Sequence, residues 1–386
     1  SEKFDPGHVH KLASRTSLVT RAHNRATRQV LSSMLIRTYT LCFATPTFLG
    51  NAQQDAQWRT PPIKALLRQW WRMAYVATAA STDFSKMRDA EGRLFGMAAD
   101  GGGSRRSMLR IRFDRWDMGR MTAWTGVDRD RVPHPDVKDR EGRIVSVGAQ
   151  LYLGYGPLGF AGGQTALKPR AALQAGEVAQ LKVALPAGVE GDRLDMALAM
   201  LDRYGTLGGR SRNGWGSFSL SPADEATPPL NGTLDERLML RWQDALARDW
   251  PHAIGRDERG PLIWQADALA DWMAVMRRLA ELKIGLRTQF VFRSGKNAER
   301  PEDRHWLSYP VTNHSVRDWG QNARLPNSLR FKVRTDPDGR LRGVLFHVPC
   351  LPPPQFNPDR AAVESVWRRV HEFLDHPVQG LQRIPA

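Results

Sequence analysis

Strand, helix, strand, strand, helix, strand is the order that the hydrophobic pattern assigns to residues 34–220. That order predicts an α+β fold built on a βαββαβ unit of the ferredoxin-like kind. Three stretches carry the prediction. Residues 34–43, MLIRTYTLCF, are a β-branched and aromatic run. Residues 61–79 place apolar side chains at helical spacing. Residues 205–216, GTLGGRSRNGWG, set five glycines between a second helical pattern and the strand-like Ser217–Leu220.

Residues 1–33 are a polar, basic arm with Lys11, Arg15, Arg21, Arg25 and Arg28, outside the first domain; a helix across 16–33 is the alternative. The run 34–43 reads as a buried first strand. In the helix at 61–79, Pro61 or Pro62 suits the first turn, and Ile63, Leu66, Leu67, Trp70, Trp71 and Ala74 form the core stripe. Lys64, Arg68 and Arg72 share another face. Like charges at this spacing repel by about 0.2–0.5 kcal/mol per pair, so the row calls for solvent or an anion beside it. Leu94-Phe95-Gly96 leads to the loop Gly101-Gly102-Gly103-Ser104. Residues 107–113 then alternate as a half-buried strand. Residues 114–146 are densely charged, with Pro133 and Pro135, and read as a mobile insertion, with a hairpin as one form it can take, able to reach over a ligand or a neighbouring subunit.

Gly154-Tyr155-Gly156-Pro157-Leu158-Gly159 spells the dinucleotide fingerprint, but Pro157, Gly162 and Gly163 give a loop where that site needs a helix start. Residues 178–185 alternate as a strand that Pro186 stops. Residues 191–204 form a helix, with Asp192 and Asp195 in its first turn and Gly205 at its end. The Pro-rich segment from Ser221 to Pro229 separates a first domain, 34–222, from a second, 230–386. In the second half, helices are expected over 234–249 and 267–282, and a strand over 284–292. A hairpin follows from 329–334 through Asp336-Pro337-Asp338-Gly339 to 341–348, then a last helix over 360–374.

The 386 residues carry 56 Lys+Arg against 40 Asp+Glu, a formal charge of +16, which points to nucleic acid, an anionic membrane or an acidic protein partner. Cys42 and Cys350 stand far apart in no metal-binding spacing, and there is no H-E-x-x-H or P-loop; no cofactor and no metal are expected. No apolar run long enough to span a bilayer occurs, and a cytoplasmic setting is expected.

The stretch 205–216 has the chemistry of a phosphate cradle. Gly208, Gly209 and Gly214 permit positive φ and bring amides toward an anion. Arg210 and Arg212 add planar forks. Trp215 either stacks on a base or packs under the loop.

Several stretches taken together resemble a known family. Thr45-Pro46-Thr47-Phe48-Leu49-Gly50, then Arg59-Thr60-Pro61-Pro62-Ile63-Lys64-Ala65-Leu66-Leu67-Arg68-Gln69-Trp70-Trp71-Arg72, then Leu94-Phe95-Gly96, resemble the RAMP proteins of CRISPR systems. More narrowly, they resemble the first, tandem-domain subunit of the Cmr module of type III-B effectors. Gly205–Gly216 is similar to the G-rich loop that closes a RAMP domain, and 304–310 and 324–348 are similar to that subunit's second half. The resemblance implies two ferredoxin-like, RRM-like RAMP domains in tandem, the second with added helices. It implies a place in an antiviral ribonucleoprotein, with crRNA, target RNA and other RAMP subunits as partners. It further implies contacts near the 3′ part of the guide and no cleavage. Arg59, Lys64, Arg68, Arg72, Arg210 and Arg212 are the RNA contacts it implies.

Two other readings stay open. A metal-free endoribonuclease needs a general base and acid, and His305, His314, His347 and Tyr309 offer candidates. Asp55 lies in the loop after the first strand, where target-cutting RAMP subunits place an aspartate. Alternatively, the chain is a structural subunit whose basic surface meets acidic proteins.

Overall fold

The computed structural model describes residues 34–79, 83–98, 103–124, 130–168, 172–189, 191–230, 234–320 and 322–384. The basic arm, 1–33, lies outside them. The fold is mixed α and β, with several antiparallel sheets.

In the first half, β1 (Met34–Phe43) is followed by α1 (Thr60–Thr78), α2 (Phe84–Phe95) and β2 (Arg110–Phe113). A hairpin of β3 (Arg131–Lys138) and β4 (Ile144–Gly148) leads to α3 (Ala149–Gly154) and the small hairpin β5 (Leu158–Ala161) and β6 (Gln164–Leu167). The main chain of the unit then resumes with β7 (Val178–Pro186), α4 (Gly191–Tyr204) and β8 (Phe218–Pro222). The sheet order is β2-β7-β1-β8, antiparallel throughout. β1 lies at its centre because its side chains suit burial: Tyr39, Leu41 and Phe43 are fully buried, facing Ile63, Leu67 and Trp71 of α1 and Leu194, Leu198 and Leu201 of α4 across one core.

In the second half, β9 (Met239–Arg241), α5 (Trp242–Ala245), β10 (Ile254–Asp257) and β11 (Gly260–Pro261) come first. β12 (Ile263–Ala266) and α6 (Trp272–Thr288) follow, then short pieces: β13 (Asn297–Ala298), α7 (Asp303–Leu307) and β14 (Ser315–Val316). The half ends with β15 (Leu329–Thr335), β16 (Leu341–His347), α8 (Arg360–Asp375) and β17 (Leu381–Arg383). Its sheet order is β15-β16-β12-β17, again antiparallel.

The halves share their cores. Trp70 and Tyr204 pack against Phe346 of the second sheet, at ring separations of 6.4 and 4.9 Å. Val132, Leu153 and Trp215 of the first half lie in the core around α6. β15 runs beside the glycine-rich loop, with the Phe331 amide on the Arg212 carbonyl (3.0 Å) and the Val333 amide on Ser217 Oγ (2.8 Å). The loop is therefore a seam between the halves.

Three sequence expectations need correction. Residues 234–249 are not one helix: a 3-10 turn, β9 and the four-residue α5 occupy them. Residues 284–288 continue α6. Ile284 and Leu286 alternate as in a strand because neighbours cover this helix on several sides, which hides its 3.6-residue period. The insertion does contain a hairpin, but it is docked. β3 packs on α6, and Asp136 pairs with the buried Arg304 at 2.5 Å. The helix α2, begun by Asp83 capping the Ser85 amide, is an element that the hydrophobic pattern did not reveal.

Candidate nucleic-acid interface

The basic face of α1 finds its anion within the chain. Glu91 of α2 is 4 % exposed and lies against Arg68 and Arg72, which are 38 % and 39 % exposed. Arg72 grips it with two bonds, of 2.8 and 2.7 Å, and Arg68 adds a third. Burial alone would raise the Glu91 carboxyl; the hydrogen bonds from Arg72 and Arg68 outweigh it and hold the group below the usual carboxylate range. Lys64, one turn earlier, is half-buried and its pKa is lowered by burial and by the Arg68 charge. Arg59 turns to the Gly50 carbonyl at 2.7 Å, bracing the loop after β1.

The glycine-rich loop is built by close approach. A Cβ on Gly208, where φ is +84°, would stand 2.6 Å from the Phe48 carbonyl oxygen. At Gly214, where φ is +93°, it would press on Met276 and Leu279 of α6 at 3.2 Å. Amides that a phosphate cradle would need are already committed: Gly209 donates to the Phe48 carbonyl, Gly214 to Ser211 and Gly216 to Pro46. These glycines hold the seam together. Trp215 is fully buried between Phe48, Trp124 and Trp272, so the base-stacking expectation is corrected: it offers no face to a base.

The two loop arginines diverge. Arg210, with φ of +56°, is exposed and lies over Gly156. Its charge reaches Lys283 of α6, as does that of Arg287 one turn further on. Lys283 keeps some solvent contact but is otherwise enclosed; its ammonium donates to Asn213 Oδ1 at 2.6 Å and stands 5.7 Å from the Tyr152 ring. Burial, followed by the Arg287 and Arg210 charges, takes its pKa down to about 7. Arg287 donates to Ser308 Oγ at 2.9 Å and is likewise lowered by burial.

On the other side of the loop, Arg212 donates to the Asn327 carbonyl at 3.1 Å and sits near Arg330 of β15. Burial and the Arg212 charge bring Arg330 down to about 9. Arg330 Nε is buried with no hydrogen-bond partner among the described residues. Beside both arginines, burial pushes the Cys350 thiol up to about 11. Among the described residues, none of Arg210, Arg212, Lys283, Arg287 and Arg330 forms an ion pair.

The candidate acid–base residues are held in structural bonds. His305 is fully buried; its Nδ1 accepts from the Glu302 amide in a capping box at the start of α7, and burial lowers its pKa. It has no surface to present to a phosphodiester. The Asp55 amide donates to Asn51 Oδ1 (3.0 Å) and its carbonyl accepts from the Asn51 amide (2.8 Å), which makes it a turn residue. His347 joins Ser328 Oγ to His371 through bonds of 3.0 Å each, inside the second core. Among the described residues, no group of three or more His, Cys, Asp or Glu is placed to hold a metal. No described helix is long and apolar enough to cross a membrane.

Sequence reasoning missed Lys283, Arg287 and Arg330. The available signal was two cations four apart, Lys283 and Arg287, which share one face of a helix; ending the expected helix at 282 and starting a strand at 284 separated them.

No protein-family model matches the chain, and no curated protein matches it. Solved structures do. It is similar to Cmr1 from Pyrococcus furiosus. Identity is 15 %, over 90 % of this chain and 98 % of that one, with a TM-score of 0.41. A chain of the type III-B Cmr-beta complex bound to cognate target RNA has 12 % identity over 88 % of this chain and 100 % of its own, with a TM-score of 0.45. A chain of a type IV-B CRISPR complex has 13 % identity over 52 % and 94 %, with a TM-score of 0.28. These neighbours are the kind of protein that the sequence motifs resemble.

Proposed function

We propose that this chain is an RNA-binding, non-catalytic subunit of a Cmr-type CRISPR ribonucleoprotein, holding guide and target RNA beside other RAMP subunits. The observation that carries the reading is the seam. Each arginine of the glycine-rich loop stands near a half-buried cation of the second half, Arg210 by Lys283 and Arg212 by Arg330, with no carboxylate between them. Enclosed like charges are costly without a counter-ion. A phosphodiester chain crossing the loop supplies one charge per nucleotide and neutralises both sets. The strand orders of the two four-stranded sheets support reading 34–222 and 230–386 as ferredoxin-like units, with this seam between them.

The test is fluorescence anisotropy with a single-stranded RNA across a salt series. The wild-type chain should show a salt slope of about −0.7 per phosphate contact, and replacing Arg210 and Lys283 together by Gln should make it shallower by about 1.4. Equal slopes and affinities in the two proteins would remove the seam from the reading; absence of RNA binding by the wild type would end it.

A further inference from the structure

A second feature lies away from the loop. Between α2 and the segment before β10 runs a groove of about 520 Å³, within the ~300–1,000 Å³ typical of small-molecule pockets. Its lining includes Arg68 and Arg72, both bonded to Glu91, together with Arg88 and the apolar Phe84, Met97 and Trp250. Phe84 is 48 % exposed and meets Trp250 edge-on at 6.0 Å. Arg248 lies over both rings, 4.9 Å from Phe84 and 5.8 Å from Trp250, and its Nη1 is buried without a hydrogen-bond partner among the described residues.

We propose that this groove receives one unstacked nucleotide of a single-stranded RNA, its base against Phe84 and Trp250 and its phosphate on Arg68, Arg72 and Arg88. The charge count fits a phosphate group. Three guanidinium groups less the one carboxylate, Glu91, leave a surplus of two positive charges in the groove's lining. Glu91 also fixes Arg68 and Arg72, so their forks are pre-set for a second anion. Phe84 and Trp250 stand edge-to-face, so the exposed Phe84 ring is the aromatic surface on which a base of any kind can pack. An acidic peptide would satisfy the arginines but brings no aromatic face to the part of the Phe84 ring that Arg248 leaves exposed. The groove also lies along the path out of the seam. The Leu351 amide donates to the Arg248 carbonyl at 2.7 Å, next to Cys350, which borders Arg212 and Arg330. The identity of the ligand rests on the RNA-binding reading above; the shape and charge of the groove do not.

The test uses the full chain and a single-stranded RNA carrying 4-thiouridine, with photo-crosslinks mapped by mass spectrometry and affinity measured by anisotropy. Crosslinks are expected at Phe84, Met97 or Trp250. Phe84→Ala should weaken binding about ten-fold with the salt slope unchanged, since stacking is lost and no charge is. Arg88→Gln, an exposed site where misfolding is not expected, should make the slope shallower by about 0.7. Excess poly-uridine should erase the crosslinks and excess poly-glutamate should not; the reverse assigns the groove to an acidic protein and overturns the proposal. Wild-type behaviour of both variants, with no crosslink in the groove, also overturns it. If the Arg210/Lys283 double variant then still loses RNA binding, the seam stands without the groove; if the wild type binds no RNA at all, the RNA-binding reading has failed first.

Discussion

The arginines of α1 and, Arg210 apart, the cations of the seam are half-buried, and they differ in what surrounds them. Arg68 and Arg72 were legible as a charged stripe, yet the chain answers them with Glu91, 23 and 19 residues downstream. Lys283 and Arg287 were invisible as a stripe, and they and Arg210 have no ion-pair partner among the described residues. A row of cations in sequence thus says little about ligand binding until its counter-ions are known. The seam encloses charge that the fold leaves without an ion pair, whereas the groove presents what its three arginines keep after Glu91 is counted.

Four experiments break or sharpen that contrast. The largest effect is expected from Arg210→Glu with Lys283→Glu, which should weaken single-stranded RNA binding more than about a hundred-fold at 0.1 M salt; anisotropy measures it. Next comes pH. A bound phosphate favours charged Lys283, whose pKa without ligand is about 7, so binding takes up a proton above that pH. Affinity should hold below pH 7 and fall about ten-fold by pH 8, and Lys283→Arg should flatten the profile. A pH-independent wild type would argue against Lys283 as a contact.

Glu91→Gln should act in the opposite direction on RNA. It releases Arg68 and Arg72, so affinity should rise a few-fold while stability falls by about 1–2 kcal/mol, a figure reduced because both arginines are partly exposed. The folded-state pKa of Glu91 is lowered, so its stabilisation is present above the ordinary glutamate range and is lost as pH falls through the folded value. Melting curves of wild type and variant should therefore converge in acid. The smallest effect is expected at Asp55: Asp55→Asn should change neither RNA affinity nor stability by more than about 0.5 kcal/mol. Labelled RNA should stay intact with either protein, and cleavage that depends on Asp55 would restore the nuclease reading.

Much of the scaffold could be read from periodicity. β1, α1, β7, α4 and the β15–β16 hairpin lie within a residue or two of expectation, because α1, α4 and β7 each have one buried face and one more open one, while β1 and the hairpin are marked by β-branched or aromatic runs and a Pro-Asp-Gly turn. The helix α6 could be read over most of its length, within the expected 267–282, but its last turns could not, since a helix covered on several sides loses its polar stripe. The role of Trp215 depended on Phe48, Trp124 and Trp272, which are distant in sequence. The glycines of the loop announced a special backbone, but only the Phe48 carbonyl and the α6 side chains show that the need was close packing.

Because Trp215 belongs to the core of the second half and Phe346 to that of the first, the seam is no hinge between independent bodies. A ligand gripping it would be linked to the melting of the whole molecule. At a hundred times its dissociation constant, such a ligand adds about 2.7 kcal/mol to global stability. Occupancy of the loop would then register as a single upward shift of one cooperative transition.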